Sequence, residues 1–507
     1  MVLPTGGRQG PDSETSVRVG HCTTLEGGRC LACKEDIELE LEFQERRRAI
    51  RTRMNANHDP FILKLPPEIG SHIFLLSMGD RDNYFPLNGG GLPTPFLLGA
   101  VCRGWRQLAR STPRLWTTLG FEFFDPTDPT SKMEALPQLV SDWLERSGGL
   151  PLTLNISFDG YCETPSEGSL SIINALNNHS GRWYKVWFIL PREYLERLCG
   201  SSPPRLLCDL LISDSYDSVG FDIPLTFKMN EKPSPMQFNF GGFLLDAVDI
   251  SWDRLVDLDL RRTTIDGVLK VLRNAPLLEK CSLSEIALPI DQLFNFKPIT
   301  RLQYLQTLEV SWFEEIVVFY NFIDSLELPS LELWRISVRE SWVLDNMISF
   351  LERSRCSLKS LYIWQDNAAA VGDFGRLFQA VPRLRHLEVL SPTHDSSSAP
   401  IMDYILERLA SSQYPTLQTD ATAGFLSDLQ SLKLHGRELN AWVCIPLIYR
   451  WPHRKLLDLD IATRHVGAVT IDREVSSELV QLVDQGTKLQ ISCGFHDYIS
   501  MLRESGT

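Results

Sequence analysis

The sequence predicts an α/β repeat fold, with short parallel strands on the inside, helices on the outside, and a small three-helix module ahead of the array. Three observations carry this. An apolar pattern Leu-x-x-Leu-x-Leu recurs through the second half of the chain. Helical stretches closed by proline separate its instances. Residues 62–120 carry a different, purely helical periodicity with proline at the helix starts.

The pattern, allowing other apolar residues, begins at Leu255, Leu278, Leu305, Leu333, Leu358, Leu384, Leu429 and Leu456. Successive starts lie 23, 27, 28, 25, 26, 45 and 27 residues apart. Most of these spacings fit the period of about 20–29 residues of leucine-rich repeats. The long step is assigned to an insertion near 391–426, which contains Ser-Pro-Thr-His-Asp-Ser-Ser-Ser-Ala-Pro. Less regular instances at Trp183–Phe188 and Leu207–Ile212, with a start at Pro151–Ile156, extend the array to 135–500.

Asp266–Arg273, Leu344–Arg353, Phe374–Ala380 and Ile401–Ala410 read as the intervening helices. Asn274-Ala-Pro276 and Ala380-Val-Pro382 stop two of them, because the residue before proline is pushed out of the helical region. Each unit is helix, turn, short strand, and stacked units place the strands side by side in a concave parallel sheet. The Asn or Cys usual three residues after the last apolar position is missing: Thr263, Ile286, Phe313, Ser341, Asp366, Pro392, Arg437 and Arg464 stand there, so the repeats are divergent.

Within each pattern the first, fourth and sixth residues point inward, and those between point out of the concave face. The expected target-binding surface is therefore Asp257, Asp259, Glu309, Trp334, Arg335, Lys359, Tyr362, Arg385, His386 and Lys433, flanked by Trp312 and Trp364. Exposed aromatic and arginine side chains are favoured interface anchors. Arg335, Lys359 and Arg385 are compatible with a phosphorylated or acidic target segment.

Ahead of the array, Lys34–Ala56 is rich in Glu, Arg and Leu and lacks Gly and Pro, predicting a charged helix over 34–58. Leu39, Phe43, Ile50 and Met54 form a stripe suited to packing on another helix. Residues 1–33 read as a flexible lead-in. Cys30-Leu-Ala-Cys33 lies close to His21 and Cys22, but adjacent ligands are poor spacing for a zinc tetrahedron.

In the module at 62–120, Leu65-Pro66-Pro67-Glu68-Ile69 opens a first helix, since proline costs little where an N–H has no helical partner. A loop rich in Gly and Pro follows over Gly79–Pro95. A second helix runs through Pro95-Phe-Leu-Leu-Gly-Ala-Val-Cys-Arg-Gly-Trp-Arg-Gln-Leu108, and Pro113-Arg-Leu-Trp116 is a short third.

These anchors, with Ile73-Phe74 and Val101-Cys102-Arg103-Gly104-Trp105-Arg106, resemble the F-box motif, and the charged helix ahead of them is similar to that of F-box-like proteins abundant in mushroom-forming fungi. The likeness covers about a tenth of the chain. It departs in the long glycine-rich insert. The resemblance implies docking on the Skp-type adaptor of a cullin–RING ubiquitin ligase of the SCF type. The positions it marks are Leu65, Pro66, Pro67, Ile69 and Ile73 in the first part and Val101, Cys102, Trp105 and Leu108 in the second. A substrate-recognition subunit is the expected role, and a non-degradative scaffold built on the repeats is the alternative.

Composition bounds the rest. The 507 residues carry 50 basic and 64 acidic side chains, a net charge of −14, which argues against a nucleic-acid binder. Hydrophobic residues make up 43%, enough for a substantial core. No apolar run reaches the 18–20 or so residues of a membrane span, and the N-terminus lacks the apolar segment of a secretory signal. Eleven scattered cysteines do not form a disulfide framework. The expected location is therefore cytoplasmic, nuclear or both, with no membrane partner. No phosphate-binding, zinc-protease or nucleophile-elbow motif occurs, so the chain reads as non-enzymatic, without metal or cofactor.

Overall fold

The computed structural model describes residues 30–58, 61, 64–79, 84–85, 93–124, 135–159, 165–214, 225–245, 248–288, 299–313, 315–338, 344–365, 371–390, 399–411, 425–436, 439–463, 471–494 and 496–505. The chain divides into two compact units, one of residues 1–82 and 92–115 and one of residues 83–91 and 116–507.

In the first unit, α1 spans Leu31–His58, α2 Pro67–Leu76, α3 Thr94–Val101 and α4 Arg103–Arg110. Helix α1 starts within the stretch expected to be flexible; residues 1–29 of that stretch, with His21 and Cys22, lie outside the described residues. Pro66 caps α2 and Pro67 opens it. The expected second helix is two. Cys102 is extended, with φ −156° and ψ 175°, and its Sγ accepts the Trp105 N–H at 3.4 Å, capping α4.

The core of this unit is aromatic. Trp105 lies 4.8 Å from Phe61 and 5.0 Å from Phe74, ring centre to ring centre. Gly70 lets α2 and α4 approach closely, since a Cβ there would come within 2.7 Å of Leu108 Cδ2 and push that side chain aside.

The second unit is an ordered ladder of strands. They are β1 Tyr84–Phe85, β2 Thr118–Phe124, β3 Leu152–Asp159, β4 Trp183–Ile189, β5 Asp209–Ser213 and β6 Gln237–Gly241. Then come β7 Asp257–Thr264, β8 Lys280–Ala287, β9 Thr300–Arg301, β10 Thr307–Phe313, β11 Leu326–Glu327 and β12 Leu333–Val338. The last six are β13 Ser360–Gln365, β14 His386–Leu390, β15 Ser431–Gly436, β16 Asp458–Thr463, β17 Leu489–Cys493 and β18 His496–Asp497.

Sixteen of these form one sheet in chain order, with β9 and β11 paired apart from it. Its strands are parallel until β18 turns back on β17. Parallel neighbours need a crossover, and helices at Ile265–Asn274, Leu344–Ser354, Val371–Ala380 and Ala399–Ser411 supply it, each end within three residues of the expected bounds. The array begins at Thr118, ahead of the expected 135 and inside the stretch assigned to the helical module. Trp116, expected in that module, packs on Trp143 at 4.8 Å. Of the assigned insertion, Ala399–Ser411 is a helix of the array that buries Met402, Ile405 and Leu409.

Two rows of inward side chains run the length of the sheet. One passes through Phe238, Leu258, Cys281, Leu308, Trp334, Leu361, Leu387, Leu432 and Leu459. The next passes through Phe240, Leu260, Leu283, Val310, Ile336, Ile363, Val389, Leu434 and Ile461. All are buried.

Here two expectations fail. Trp334, expected on the outward face, is fully buried and stacks edge-on to Phe350 at 5.0 Å. The repeat starts at Leu331 rather than Leu333. The turn before the strand shows why: Leu331 N–H donates to Leu328 O at 3.3 Å, as Leu255 does to Trp252 and Leu384 to Val381. Likewise Leu456 is exposed and Leu457 takes its place, bonded to Arg454 O.

Past the inward rows, Arg262, Glu285 and Trp312 adopt φ of 52°, 54° and 55° in three successive strands. Each left-handed residue resets the alternation, so Thr263, Ile286 and Phe313 pair directly. The other five expected ladder positions lie outside the described residues.

Two outcomes test this register. Trp334→Ala should destabilise the protein by about 3–5 kcal/mol in chemical denaturation, and Arg335→Ala by less than about 1 kcal/mol. Glu285→Ile should cost about 1–2 kcal/mol, because a β-branched residue resists the left-handed region, and Glu285→Asn should be tolerated.

Candidate functional site

The outward side chains of the sheet form three parallel rows. The central row runs Asn155, Trp187, Leu211, Asn239, Asp259, Ser282, Glu309, Arg335, Tyr362, Glu388, Lys433 and Asp460. Asp257 and His386 stand in the row before it. Lys359 and Arg385 sit one residue ahead of their strands, at the strand entry. Nine of the ten expected target-binding residues are therefore on or beside this face, Trp334 being the exception. Trp364 is exposed on the same face, two residues beyond Tyr362, while Trp312 occupies a left-handed turn.

Charge along this face is largely matched strand to strand. Arg335 Nη1 lies 2.5 Å from Glu309 Oε1, and its guanidinium covers the Tyr362 ring at 4.6 Å. Lys359 Nζ lies 2.5 Å from Glu332 Oε1. Asp257 faces Lys280, and Lys433 stands between Glu388 and Asp460. Two of the three cations expected to take an acidic or phosphorylated segment are thus already ion-paired. Exposed pairs of this kind contribute little stability, typically 0–1 kcal/mol or so, but they set the face's polarity.

Sequence reasoning missed the less charged end. On β4 and β5, Trp187 and Ile189 are exposed and Leu211 is half-buried, between Asn155 and Asn239 in the neighbouring strands. Their signal was present in Trp-Phe-Ile-Leu at 187–190, but the alternation there is masked by apolar residues on both faces.

Asp209 stands at the edge of this patch, only 6% exposed, and burial raises its carboxyl above the usual range. The Trp187 indole N–H donates to it and Lys185 stands opposite, both of which pull the other way. Its Oδ1 has no hydrogen-bond partner among the described residues. An exposed apolar patch on a sheet face is suited to a partner that brings an apolar side chain. Asp257 is also raised, by burial first, with Lys280 opposing and Asp259, Asp209 and Glu309 adding.

In the helical unit the expected adaptor positions separate into two sets. Pro66, Pro67, Ile69, Ile73 and Val101 are exposed. Leu65 and Cys102 are half-buried. Trp105 is also half-buried, against Phe61, and Leu108 is buried. Leu76 and Leu97, not singled out from sequence, are 72% and 49% exposed and add to the apolar surface of α2 and α3.

Among the described residues no group of His, Cys, Asp and Glu is placed to hold a metal ion, and no helix is long and apolar enough to cross a membrane.

No protein-family model matches the chain, and no curated protein matches it. Among solved structures it is similar to a leucine-rich-repeat protein of Leptospira interrogans, with 15% identity and a TM-score of 0.28, over 75% of this chain and 91% of that one. The parallel ladder itself, rather than this likeness, defines the fold.

The raised carboxyls give a pH signature. Asp209 and Asp257 hold their protons more tightly folded than unfolded, so their contribution is full below about pH 4 and is lost as pH rises through the folded values. Asp209→Asn should melt above the wild type at pH 7, and the gap should close toward pH 4 in thermal scans.

Proposed function

We propose that this chain is the substrate-recognition subunit of an SCF-type cullin–RING ubiquitin ligase. The helical unit docks a Skp-type adaptor and the outward sheet face holds a target protein. The observation that carries the reading is the state of α2 and α3. Phe74 is already buried against Phe61 and Trp105, yet Ile69, Ile73, Leu76, Leu97 and Val101 remain in solvent. A small unit with that much apolar surface left over is suited to a helical partner.

The chain supplies no chemistry of its own in this reading. It raises the local concentration of target lysines near the charged conjugating enzyme, which is a proximity effect. The Trp187 patch and the Arg335–Tyr362 stack are the target-facing anchors, and neither requires a metal or cofactor.

Co-purification with an adaptor and cullin tests this. Wild type should be retained, and Ile69→Asp/Val101→Asp should bind at least about tenfold more weakly with unchanged helicity, since exposed anchors of this type carry on the order of 1–2 kcal/mol each. Absence of adaptor binding by the wild type would overturn the proposal. A captured target that gains no ubiquitin and turns over no faster would select the scaffold role instead.

A further inference from the structure

Helix α1 leaves its apolar stripe in solvent. Leu39, Phe43, Ile50 and Met54 are 64, 59, 44 and 55% exposed, although a turn of about 100° per residue puts them on one face of this 28-residue helix. Charge is segregated along the same helix. After Lys34, its charged residues are all acidic from Glu35 to Glu45 and all basic from Arg46 to Arg53.

Two symmetries coincide in it. Leu39 and Met54 stand equally far on either side of the Arg46–Arg47 peptide bond, as do Phe43 and Ile50. So do the oppositely charged pairs Glu40 and Arg53, Glu42 and Arg51, and Glu45 and Arg48. A helix built this way is its own complement when reversed.

We propose that α1 joins two copies of this chain as an antiparallel helix pair, with the two-fold axis at Arg46–Arg47. The stripe then meets itself, Phe43 level with Ile50 of the partner copy and Leu39 level with its Met54. Glu40 and Arg51 share one edge of the stripe, and Glu42 and Arg53 the other. Glu40 and Glu42 therefore each lie beside an arginine of the partner copy, and the two helices overlap over residues 35–58, about 36 Å at 1.5 Å per residue. A parallel pair is excluded by charge, since it would stack acidic half on acidic half and basic on basic. An antiparallel homodimer uses the same surface twice, as a two-fold interface must. The inference does not depend on the adaptor reading, because it uses none of the α2 and α3 anchors.

The test is the solution mass of the full chain by light scattering at micromolar concentration, which should be twice 57.6 kDa. Phe43→Asp/Ile50→Asp should halve it. Glu40→Arg/Glu42→Arg should also give monomer, with helicity and melting temperature unchanged. Adding Arg51→Glu/Arg53→Glu to that variant should restore the dimer, because only the antiparallel arrangement pairs the swapped halves. A monomeric wild type, a dimer that survives Glu40→Arg/Glu42→Arg, or a four-site variant that stays monomeric would each overturn the proposal.

Discussion

One repeated hydrogen-bond junction fixes the register of the array. In the main sheet from β5 to β14, the carbonyl of the residue just ahead of each strand accepts two consecutive N–H groups from the next repeat. Val256 O takes Glu279 and Lys280, Glu279 O takes Gln306 and Thr307, Gln306 O takes Glu332 and Leu333, and Glu332 O takes Lys359 and Ser360. Strand alternation has a period of two, so a slip of one residue at any junction would turn a whole strand inside out. With the junctions locked, two inward rows stay continuous and buried, and everything outward is sorted by default.

That sorting gives the sheet face its character. Toward its later strands, fixed register sets opposite charges against each other, as in Glu309–Arg335 and Glu388–Lys433–Asp460, so much of the charge is spent within the face. Toward β4 and β5 the same register brings Trp187, Ile189 and Leu211 together beside the buried carboxyl of Asp209. Exposed apolar area is where a partner gains most from desolvation, and paired surface charge is where it gains least. The helical unit follows a similar division: a closed aromatic core, and leftover aliphatic side chains outside it.

Much of this was legible in the sequence. The Leu-x-x-Leu-x-Leu period located most strands from β7 onward, and the stretches between them located four helices, two of them closed by proline. The reading slipped at Leu331-Glu-Leu-Trp334, where two leucines two residues apart offered two registers and a tryptophan filled an inward position normally leucine. Only the turn bond at Leu328 separates the two. Strand β2 was hidden because Thr-Leu-Gly-Phe-Glu-Phe-Phe adjoins the helical module, and β6 because Gln-Phe-Asn-Phe-Gly lacks the leucines of the pattern. The aromatic cluster of the helical unit exposes a general limit: a residue's spacing identifies it as an anchor, but not whether it anchors a partner or its own fold, and here Leu108 is buried within its unit while Trp105 is half-buried against Phe61 and Phe74.

Two separate surfaces, one on the helical unit and one on the sheet, are the centre of this account. Amide hydrogen exchange on the full chain, alone and with a Skp-type adaptor, tests it most directly. Slowed exchange is expected in Pro67–Leu76 and Thr94–Arg110 alone, with β3 to β16 unchanged. Protection on β4 to β6 by the adaptor, or none in α2 to α4, would contradict it.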